Sequence, residues 1–427
     1  MRGFRWRALA FALAATALAV FGTSASAKTD GVGAKHATAT IEFWQTMNEE
    51  ETVTLKGIVS AFERTHPSIK VNMVYVPFDQ AQQKFATAAQ AGKAPDVLRA
   101  EIAWIADYAS QGYLTALDKM VSKKDKADFL PAPFAYGVYA GHIWAIPQVT
   151  DAPALLYNKA MFRAKKVKVP KTMAELAAAC SKFPNGHGIF LRGDAYFVQP
   201  WIWAFGGDLL NIKKKQILIA NKGSVKGMSE YKTLFAFSPA KCAFPDKDFT
   251  NDYDNMQTAF KTGQVAMIVN GPWATADLLQ GKAFANKANF GVAPVPRGPG
   301  GQGSPVGGHS YVISRTAANK SAAYTFIQWI DQAQNQEQLA IKNNLLPTRK
   351  SAYARPGVKA NPILQAFLAQ MKVARNRPVT PAGGSIYVDF GPNVQRILTG
   401  KTSASAGMLA VAKAWKAKLF KNYAIVR

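Results

Sequence analysis

The sequence is poor in cysteine, histidine and acidic residues, and each scarcity narrows the range of functions. Its 427 residues include two cysteines and five histidines, and the histidines lie at none of the spacings typical of metal ligands. The sequence therefore predicts no metal site and no cofactor. Asp and Glu number 26 against 52 Lys and Arg, which gives a formal charge of +26. Beyond the first 27 residues, no apolar run approaches the roughly 18 residues that span a bilayer.

The first 27 residues have the pattern of a secretory signal peptide. Arg2, Arg5 and Arg7 precede an apolar run over residues 8–20, and small residues at 25–27 suit a signal peptidase. No cysteine follows the apolar run, so we expect no lipid anchor. The sequence therefore predicts an exported, soluble chain, located in the periplasm or outside the cell.

The large positive charge could indicate a nucleic-acid partner, but the motifs do not support one. Lys213–Lys215 is the longest unbroken basic run, and no recognised nucleic-acid module accompanies it. We expect no nucleic-acid partner. We interpret the charge as a solvated basic surface, suited to an acidic exterior or an anionic cell wall.

The two cysteines, Cys180 and Cys242, belong to a chain that is expected to fold in an oxidising compartment. A disulfide between them and two separate thiols are both open outcomes of the sequence alone. The length of the mature chain, about 400 residues, exceeds what a single core usually accommodates. Two lobes are therefore expected.

Predicted strands alternate with predicted helices along the chain. TIEFWQ, IKVNMVYVPF and residues 94–98 are β-favouring runs, and helical patterns at residues 51–67 and 80–91 separate them. The same alternation continues beyond residues 148–153, and a long helix is predicted at residues 322–341. This order predicts an α/β protein with mostly parallel sheets covered by helices.

Residues 259–273, AFKTGQVAMIVNGPW, contain in order the end of a predicted helix, a glycine that stops it, a short apolar strand and a tryptophan. Gly263 can adopt the left-handed conformation that closes a helix, and residues 265–269 are typical of a buried strand. Trp273 follows the carboxyl end of that strand, where open α/β sheets present ligand contacts. We interpret Trp273 as a binding residue, with packing beneath the turn as the alternative.

Six motifs occur in a characteristic order: APDV at 94–97, ASQGYLTALD at 109–118, LLYNKAMF at 155–162, AYF at 195–197, GG at 206–207 and GQVAMIVNGPW at 263–273. With these motifs the chain resembles the extracellular solute-binding proteins of sugar ABC importers, of the maltose-binding type. The resemblance extends over nearly all of the mature chain.

The resemblance implies a two-lobed periplasmic-binding-protein fold of type II, with a ligand cleft between lobes that crossing hinge segments join. It places the first lobe at residues 28–150 and 306–357, and the second at 152–304 and 358–427. It implies a monomeric binding component, not an enzyme, that closes on a neutral oligosaccharide. Maltose or a maltooligosaccharide is the expected ligand, and permease subunits in the membrane are the expected partners.

The resemblance also assigns sugar-contacting roles to residues of the second lobe and of the first crossing. It gives Trp273 and Tyr196 the role of stacking on sugar rings. Asp194 and Asp151 would accept hydrogen bonds from hydroxyl groups, because an ionised carboxylate offers only acceptors. Tyr387 lies near a late aromatic position of the family, although SIYVDFGPNV departs from the usual helical sequence there.

In the first lobe, the acidic residue and arginine that the family places after its PD motif are absent, and RAEIAW stands there instead. Glu101 and Trp104 are three residues apart and would be neighbours on a helical turn. Trp44 and Gln45 end the first predicted strand, and a glycine turn at a hinge can also reach the sugar. The candidates from this region are Glu101, Trp104, Trp44, Gln45, Gly308 and His309.

Alternatives remain open for these residues and for the function. Core packing is the alternative for Trp104 and Tyr387, and helix capping or a surface role is the alternative for Asp151 and Asp194. Other possible ligands are trehalose, another oligosaccharide and glycerol phosphate. The alternative of another class is an exported glycoside hydrolase that uses Asp151 and Asp194.

Overall fold

A computed structural model of the chain describes residues 39–235, 242–246 and 248–427. The predicted signal peptide, residues 1–27, and residues 28–38 of the predicted first lobe lie outside the described residues. None of the described helices combines the length and the apolar character that a bilayer span requires.

The described strands form two main sheets and two small ones. In chain order they are β1 (Ala39–Gln45), β2 (Ile69–Tyr75), β3 (Val97–Glu101), β4 (Val138–Tyr139), β5 (His142–Ile143), β6 (Ile146–Asp151), β7 (Ala154–Asn158), β8 (Ile189–Phe190), β9 (Leu210–Asn211), β10 (Gln216–Ile217), β11 (Met267–Asn270), β12 (Phe290–Ala293), β13 (Gly307–Ile313), β14 (Leu346–Pro347) and β15 (Ala424–Ile425).

The described helices cover the faces of these sheets. The α-helices are α1 (Glu49–Thr65), α2 (Phe78–Gln90), α3 (Ile105–Ser110), α4 (Lys123–Asp128), α5 (Pro131–Tyr136), α6 (Lys159–Ala164), α7 (Met173–Ser181), α8 (Ala195–Ala204), α9 (Lys222–Leu234), α10 (Asp252–Lys261), α11 (Thr275–Leu278), α12 (Lys320–Ile330), α13 (Ala333–Asn343), α14 (Lys350–Tyr353), α15 (Pro356–Ala360), α16 (Pro362–Met371), α17 (Ile386–Leu398) and α18 (Ala404–Lys418). Short 3₁₀ helices span Pro272–Ala274, Lys282–Phe284 and Lys287–Asn289.

The first lobe is built on a six-stranded sheet with the order β14-β6-β13-β3-β1-β2. β1, β2 and β3 are parallel, and β13 is antiparallel to both of its neighbours. Side chains along β1 alternate between two cores: Phe43 packs with α1 and α12, and Trp44 packs with α2 and α3. Helices therefore cover both faces of this sheet, as the alternation of strands and helices predicted. The prediction of mostly parallel pairing is wrong, because β13 and β14 run antiparallel to their neighbours and make three of the five pairings antiparallel.

The second lobe is built on a four-stranded sheet with the order β12-β7-β11-β8. β11 is buried along its whole length, antiparallel to β7 and parallel to β8. One core lies against α10 and α16, and a larger one lies against α7, α8, α9, α17 and α18. Within the larger core, Cys180 and Cys242 form a disulfide bond with their Cα atoms 5.5 Å apart.

The chain passes between the two lobes at short crossing segments. β6 of the first lobe connects to β7 of the second through Ala152 and Pro153, and residues 294–306 lead back from β12 to β13. The start of β13 pairs with the end of β6, so that Gly307 lies opposite Asp151. These two of the three crossings therefore meet at the same edge of the first sheet.

The single long helix predicted at residues 322–341 is wrong, because α12 ends at Ile330 and α13 begins at Ala333. Gln332 has an extended backbone between the two helices. The fully buried Asp331 accepts a hydrogen bond from Gln336 at 2.7 Å and forms an ion pair with Arg349 at 3.3 Å. A buried carboxylate needs such partners, and reaching them breaks the helix.

Candidate ligand-binding cleft

One edge of the first sheet collects several of the predicted site residues. Glu101 ends β3, Asp151 ends β6, and the antiparallel β13 begins at this edge with Gly307. His309 pairs directly with Glu101 across β13 and β3. The strand directions therefore bring these carboxylates and the imidazole to one face of the cleft.

Arg377, which the sequence analysis did not predict, lies at the centre of these residues. Its guanidinium is buried, forms an ion pair with Glu101, and donates from Nε to the Val306 carbonyl at 2.8 Å. The same guanidinium lies 5.5 Å from the ring centre of Tyr196 in the second lobe. Arg377 thus joins a carboxylate of the first lobe to an aromatic side chain of the second.

Asp151 is a buried carboxylate at the floor of the cleft. Burial raises its pKa to about 7, with Arg377 opposing that rise and Glu101 adding to it. No described residue donates a hydrogen bond to this carboxylate. Its oxygens can therefore accept a hydrogen bond from a ligand hydroxyl group, and the O–H of the neutral acid can donate one to such a hydroxyl.

His309 and two neighbouring strand residues carry further unsatisfied polar groups. Both ring nitrogens of His309 are buried without a hydrogen-bond partner among the described residues, and so are Thr150 Oγ1 and Ser310 Oγ. Burial, with the charges of Arg99 and Arg377, holds the pKa of His309 well below its usual range, so the ring is neutral. Each unpaired buried group costs about 1–3 kcal/mol, which a polar ligand or water offsets on binding.

Trp273 lies where the two lobes meet. Its indole Nε1 donates to the Tyr253 hydroxyl at 3.1 Å, and its carbonyl accepts from Asn48 Nδ2 of the first lobe at 2.9 Å. The ring is half-buried and packs against core side chains of both lobes. A β-carbon on Gly271 would overlap this ring, so the glycine permits the observed orientation of the indole.

Asp194 and Tyr196 begin α8 in the second lobe. Asp194 caps the helix by accepting from the Tyr196 backbone N at 2.8 Å, and it forms an ion pair with Arg192 at 3.3 Å. The Tyr196 hydroxyl donates to the Pro305 carbonyl at 3.2 Å. Both Asp194 oxygens therefore have protein partners, and its contact with a sugar stays a prediction.

Tyr387 lies in the first turn of α17, so the departure seen in SIYVDFGPNV does not prevent a helix there. Its ring centre is 6.3 Å from that of Tyr196, and its hydroxyl accepts from Gln199 Nε2 at 3.0 Å. Burial raises its pKa, while Arg377 opposes the rise. A cavity of about 280 Å³ lies beside Tyr387 and Asp194.

Trp104 stacks on Phe78, with ring centres 5.4 Å apart, and the Phe78 ring also lies 5.8 Å from His309. Phe78 is 50% exposed while Trp104 is buried. Phe78 was not among the predicted site residues, although the rule that selected Trp44 applies to it as well, since it follows the carboxyl end of β2. These rings give the first lobe an aromatic wall.

Trp44, Gln45 and Gly308 have contacts within the first lobe. Trp44 Nε1 donates to Glu42 at 2.6 Å, and the Gln45 amide is fully buried, donating to Thr52 at 3.2 Å. Gly308 has φ of 141°, a conformation that favours glycine, and its carbonyl accepts from Ile102 N at 3.2 Å. Their roles in binding stay predictions.

Known proteins resemble this chain over most of its length. A maltotriose-binding protein of Pyrococcus abyssi is 25% identical over 392 residues, covering 90% of this chain and 82% of the relative. The crystal structure of the GacH receptor of Streptomyces glaucescens, solved unliganded and with acarbose, is 38% identical with a TM-score of 0.86, covering 90% and 99% of the two chains. A Thermus thermophilus maltotriose-binding protein bound with maltotriose is 25% identical with a TM-score of 0.77, covering 88% and 99%.

The family comparison agrees with the fold and with the motif order. The family model described as bacterial extracellular solute-binding protein matches residues 48–337, which include the carboxyl ends of β3, β6 and β11. This range is more than half of the chain. The chain belongs to the bacterial extracellular solute-binding protein family.

Proposed function

We propose that the chain binds a neutral, α-linked oligosaccharide in the cleft, maltotriose or a longer maltooligosaccharide above all. Two observations support this proposal: the half-buried Trp273 ring lies where the two lobes meet, and unpaired polar groups lie near Asp151 and His309. A pyranose ring has an apolar face for an indole and a rim of hydroxyl groups for such a floor. The names of the Pyrococcus and Thermus relatives support the same ligand class.

Binding is proposed to draw the two lobes together. The moving bodies in this proposal are residues 28–150 with 306–357, and residues 152–304 with 358–427, turning about the crossing segments. Asn48, Trp273, Glu101 and Arg377 make contacts that link one lobe to the other, so closure and ligand contact involve the same residues. Closure excludes water and strengthens each hydrogen bond to the sugar.

The proposed role is transport, without catalysis. The chain would act as an exported monomer that delivers its ligand to the membrane permease of an ABC importer, as the name of a Streptococcus pneumoniae relative, a maltooligosaccharide ABC transporter solute-binding lipoprotein, supports. A glycoside hydrolase needs a free pair of carboxyl groups. Both oxygens of Asp194, at the start of α8, already have protein partners, so this carboxylate is poorly suited to act as the acid or as the nucleophile or base.

A second ligand is favoured by the GacH comparison. GacH is solved in complex with acarbose and an acarbose homolog. Acarbose is therefore the second candidate.

Calorimetric titration with maltotriose, acarbose, trehalose, cellobiose and glycerol phosphate tests the proposal. We expect saturable one-to-one binding of maltotriose or acarbose and no binding of cellobiose or glycerol phosphate. The same maltotriose sample, analysed for shorter sugars after long incubation, tests the absence of hydrolysis. Tight binding of glycerol phosphate alone, or sustained release of glucose and maltose, would overturn the proposal.

A further inference from the structure

Positive charge is distributed unevenly between the two halves of the chain. Residues 39–150 and 306–357 contain 16 Lys and Arg against 14 Asp and Glu, and are nearly neutral. Residues 151–305 and 358–427 contain 31 Lys and Arg against 11 Asp and Glu. The second half therefore carries nearly all of the excess charge, and ligand binding in the cleft does not account for it.

Six exposed lysines lie on the neighbouring segments where the small three-stranded sheet adjoins α18. The turn between β9 and β10 carries three of them, and β15 pairs in parallel with β10. The Ala424 backbone N donates to the Lys215 carbonyl at 2.9 Å, and Lys416 Nζ donates to the Tyr423 carbonyl at 2.6 Å. We name this surface the terminal lysine patch; its members are Lys213, Lys214, Lys215, Lys413, Lys416 and Lys421.

The lysines of this patch lack acidic partners. None of the six forms an ion pair with a carboxylate in the described part of the chain, whereas Lys418 on the same helix pairs with Asp389 at 2.7 Å. Lys413 and Lys416 are three residues apart on α18, so their side chains leave the same side of the helix. The patch therefore presents six uncompensated positive charges to solvent.

The turn that carries Lys213–Lys215 is held in a conformation that lysine does not favour. Lys215 has φ of 50°, in the left-handed region where glycine or asparagine is less strained. Lys214 N donates to Asn211 Oδ1 at 3.0 Å, and Lys215 N donates to the Ile212 carbonyl at 3.2 Å, so the turn is fixed. Three adjacent ammonium groups also repel one another. Stability alone does not explain this choice of residues.

We propose that the terminal lysine patch docks the protein on the anionic phosphate headgroups of a phospholipid membrane, independently of what the cleft binds. Lysine carries a compact, strongly hydrated charge, which suits diffuse attraction to a charged surface better than bidentate recognition of single groups. Single-stranded nucleic acid is a poorer fit, because its binding depends on exposed aromatic rings that stack on bases. Beside the patch, Phe420 is buried and packs on Tyr423 with the ring centres 5.0 Å apart, so the Phe420 ring offers no free face to a base.

The expected effect follows from the number of lysines in contact with the surface. Each lysine held near an anionic membrane strengthens partitioning by roughly fivefold. Loss of the three turn lysines should then weaken binding by at least tenfold, with allowance for lysines that do not contact lipid. Because the Debye length shrinks from about 10 Å at 0.1 M salt to about 3 Å at 1 M, binding should disappear at high salt.

Vesicle co-sedimentation tests the proposal with the full mature chain. The vesicles contain either 30% phosphatidylglycerol in phosphatidylcholine or phosphatidylcholine alone, at low and high salt. We expect binding to the anionic vesicles only, and a loss of at least tenfold in the variant K213Q/K214Q/K215Q. K413Q/K421Q, with one substitution on α18 and one in the segment that follows it, tests the same patch should the turn variant fail to fold.

K165Q/K166Q/K168Q is the matched control, because it removes the same charge from exposed lysines of the same lobe, one of them, Lys166, also at positive φ. Its vesicle binding should stay within twofold of wild type. Three results would each overturn the proposal: no binding to anionic vesicles, an equal loss in the control, or tighter binding to duplex DNA than to vesicles at the same salt.

Discussion

The orientation of Trp273 depends on the absence of a side chain at Gly271, and this gives a test of the ring's role. Gly271 has φ of −106°, which any residue can adopt, so an alanine there brings no backbone strain. Its β-carbon would overlap the six-membered ring of Trp273. Gly271→Ala therefore perturbs the protein through the indole.

The size of the effect follows from the contacts of the ring. The indole must withdraw by about 1 Å or more to restore ordinary van der Waals contact, and a gap of that size forfeits a quarter to a half of the dispersion energy with a stacked ligand. The same movement strains the hydrogen bond from Nε1 to Tyr253. We expect Gly271→Ala and Trp273→Ala each to weaken maltotriose binding by at least tenfold, or about 1.4 kcal/mol.

The double variant separates ligand contact from general damage. If Gly271→Ala acts through the indole alone, adding it to Trp273→Ala should change the calorimetric affinity by less than twofold. Gly57→Ala is the control, because no atom lies within 4 Å of the β-carbon it would add and α1 tolerates alanine. Unchanged affinity in Trp273→Ala, or full additivity in the double variant, would refute a stacking role for this ring.

Three further predictions concern the cleft and the core. Arg377→Met leaves Glu101 buried without its partner, so it should lower the free energy of unfolding, measured by urea titration, by about 3–5 kcal/mol. Adding Glu101→Gln should restore part of that loss, and a double variant as unstable as Arg377→Met would contradict the pairing. The folded-state pKa of Asp151, about 7, lies above its ordinary value of 3.8. The stabilisation that comes from protonated Asp151 is therefore fully present below pH 4 and is lost as pH rises towards 7, which lowers the free energy of unfolding by at most about 4 kcal/mol. Asp151→Asn should flatten that slope in unfolding curves between pH 4.5 and 7.5, and parallel curves would argue against a raised pKa. Replacing Cys180 and Cys242 by serine should lower the free energy of unfolding by about 2–5 kcal/mol while maltotriose affinity stays within twofold, because the bond lies within the second-lobe core.

Much of the first lobe was predictable because its signals are local. β1, α1, β2 and α2 lie within a few residues of the predicted runs, since hydrophobic periodicity and end residues act over short distances. The same kind of signal extended the run IKVNMVYVPF to Phe78, although β2 ends at Tyr75. It also missed the break at Asp331, which depends on distant Arg349.

The cleft was less predictable, because its contacts join distant parts of the chain. Arg377 contacts Glu101 across 276 residues of sequence, and a single arginine in a loop carries no pattern that reveals such a contact. Ligand contacts are common at the carboxyl ends of strands, and this rule selected Trp44 and Gln45. The rule could not show that both side chains form hydrogen bonds within the first lobe. The resemblance to known sugar-binding proteins was needed to select Asp151, whose environment depends on both lobes.

Calorimetric titration of the purified mature chain with maltotriose tests directly whether this cleft holds an α-linked oligosaccharide. We expect saturable one-to-one binding, with a smaller radius of gyration by X-ray scattering in the liganded state because the lobes close. Absence of binding to maltotriose, longer maltooligosaccharides and acarbose alike would contradict it.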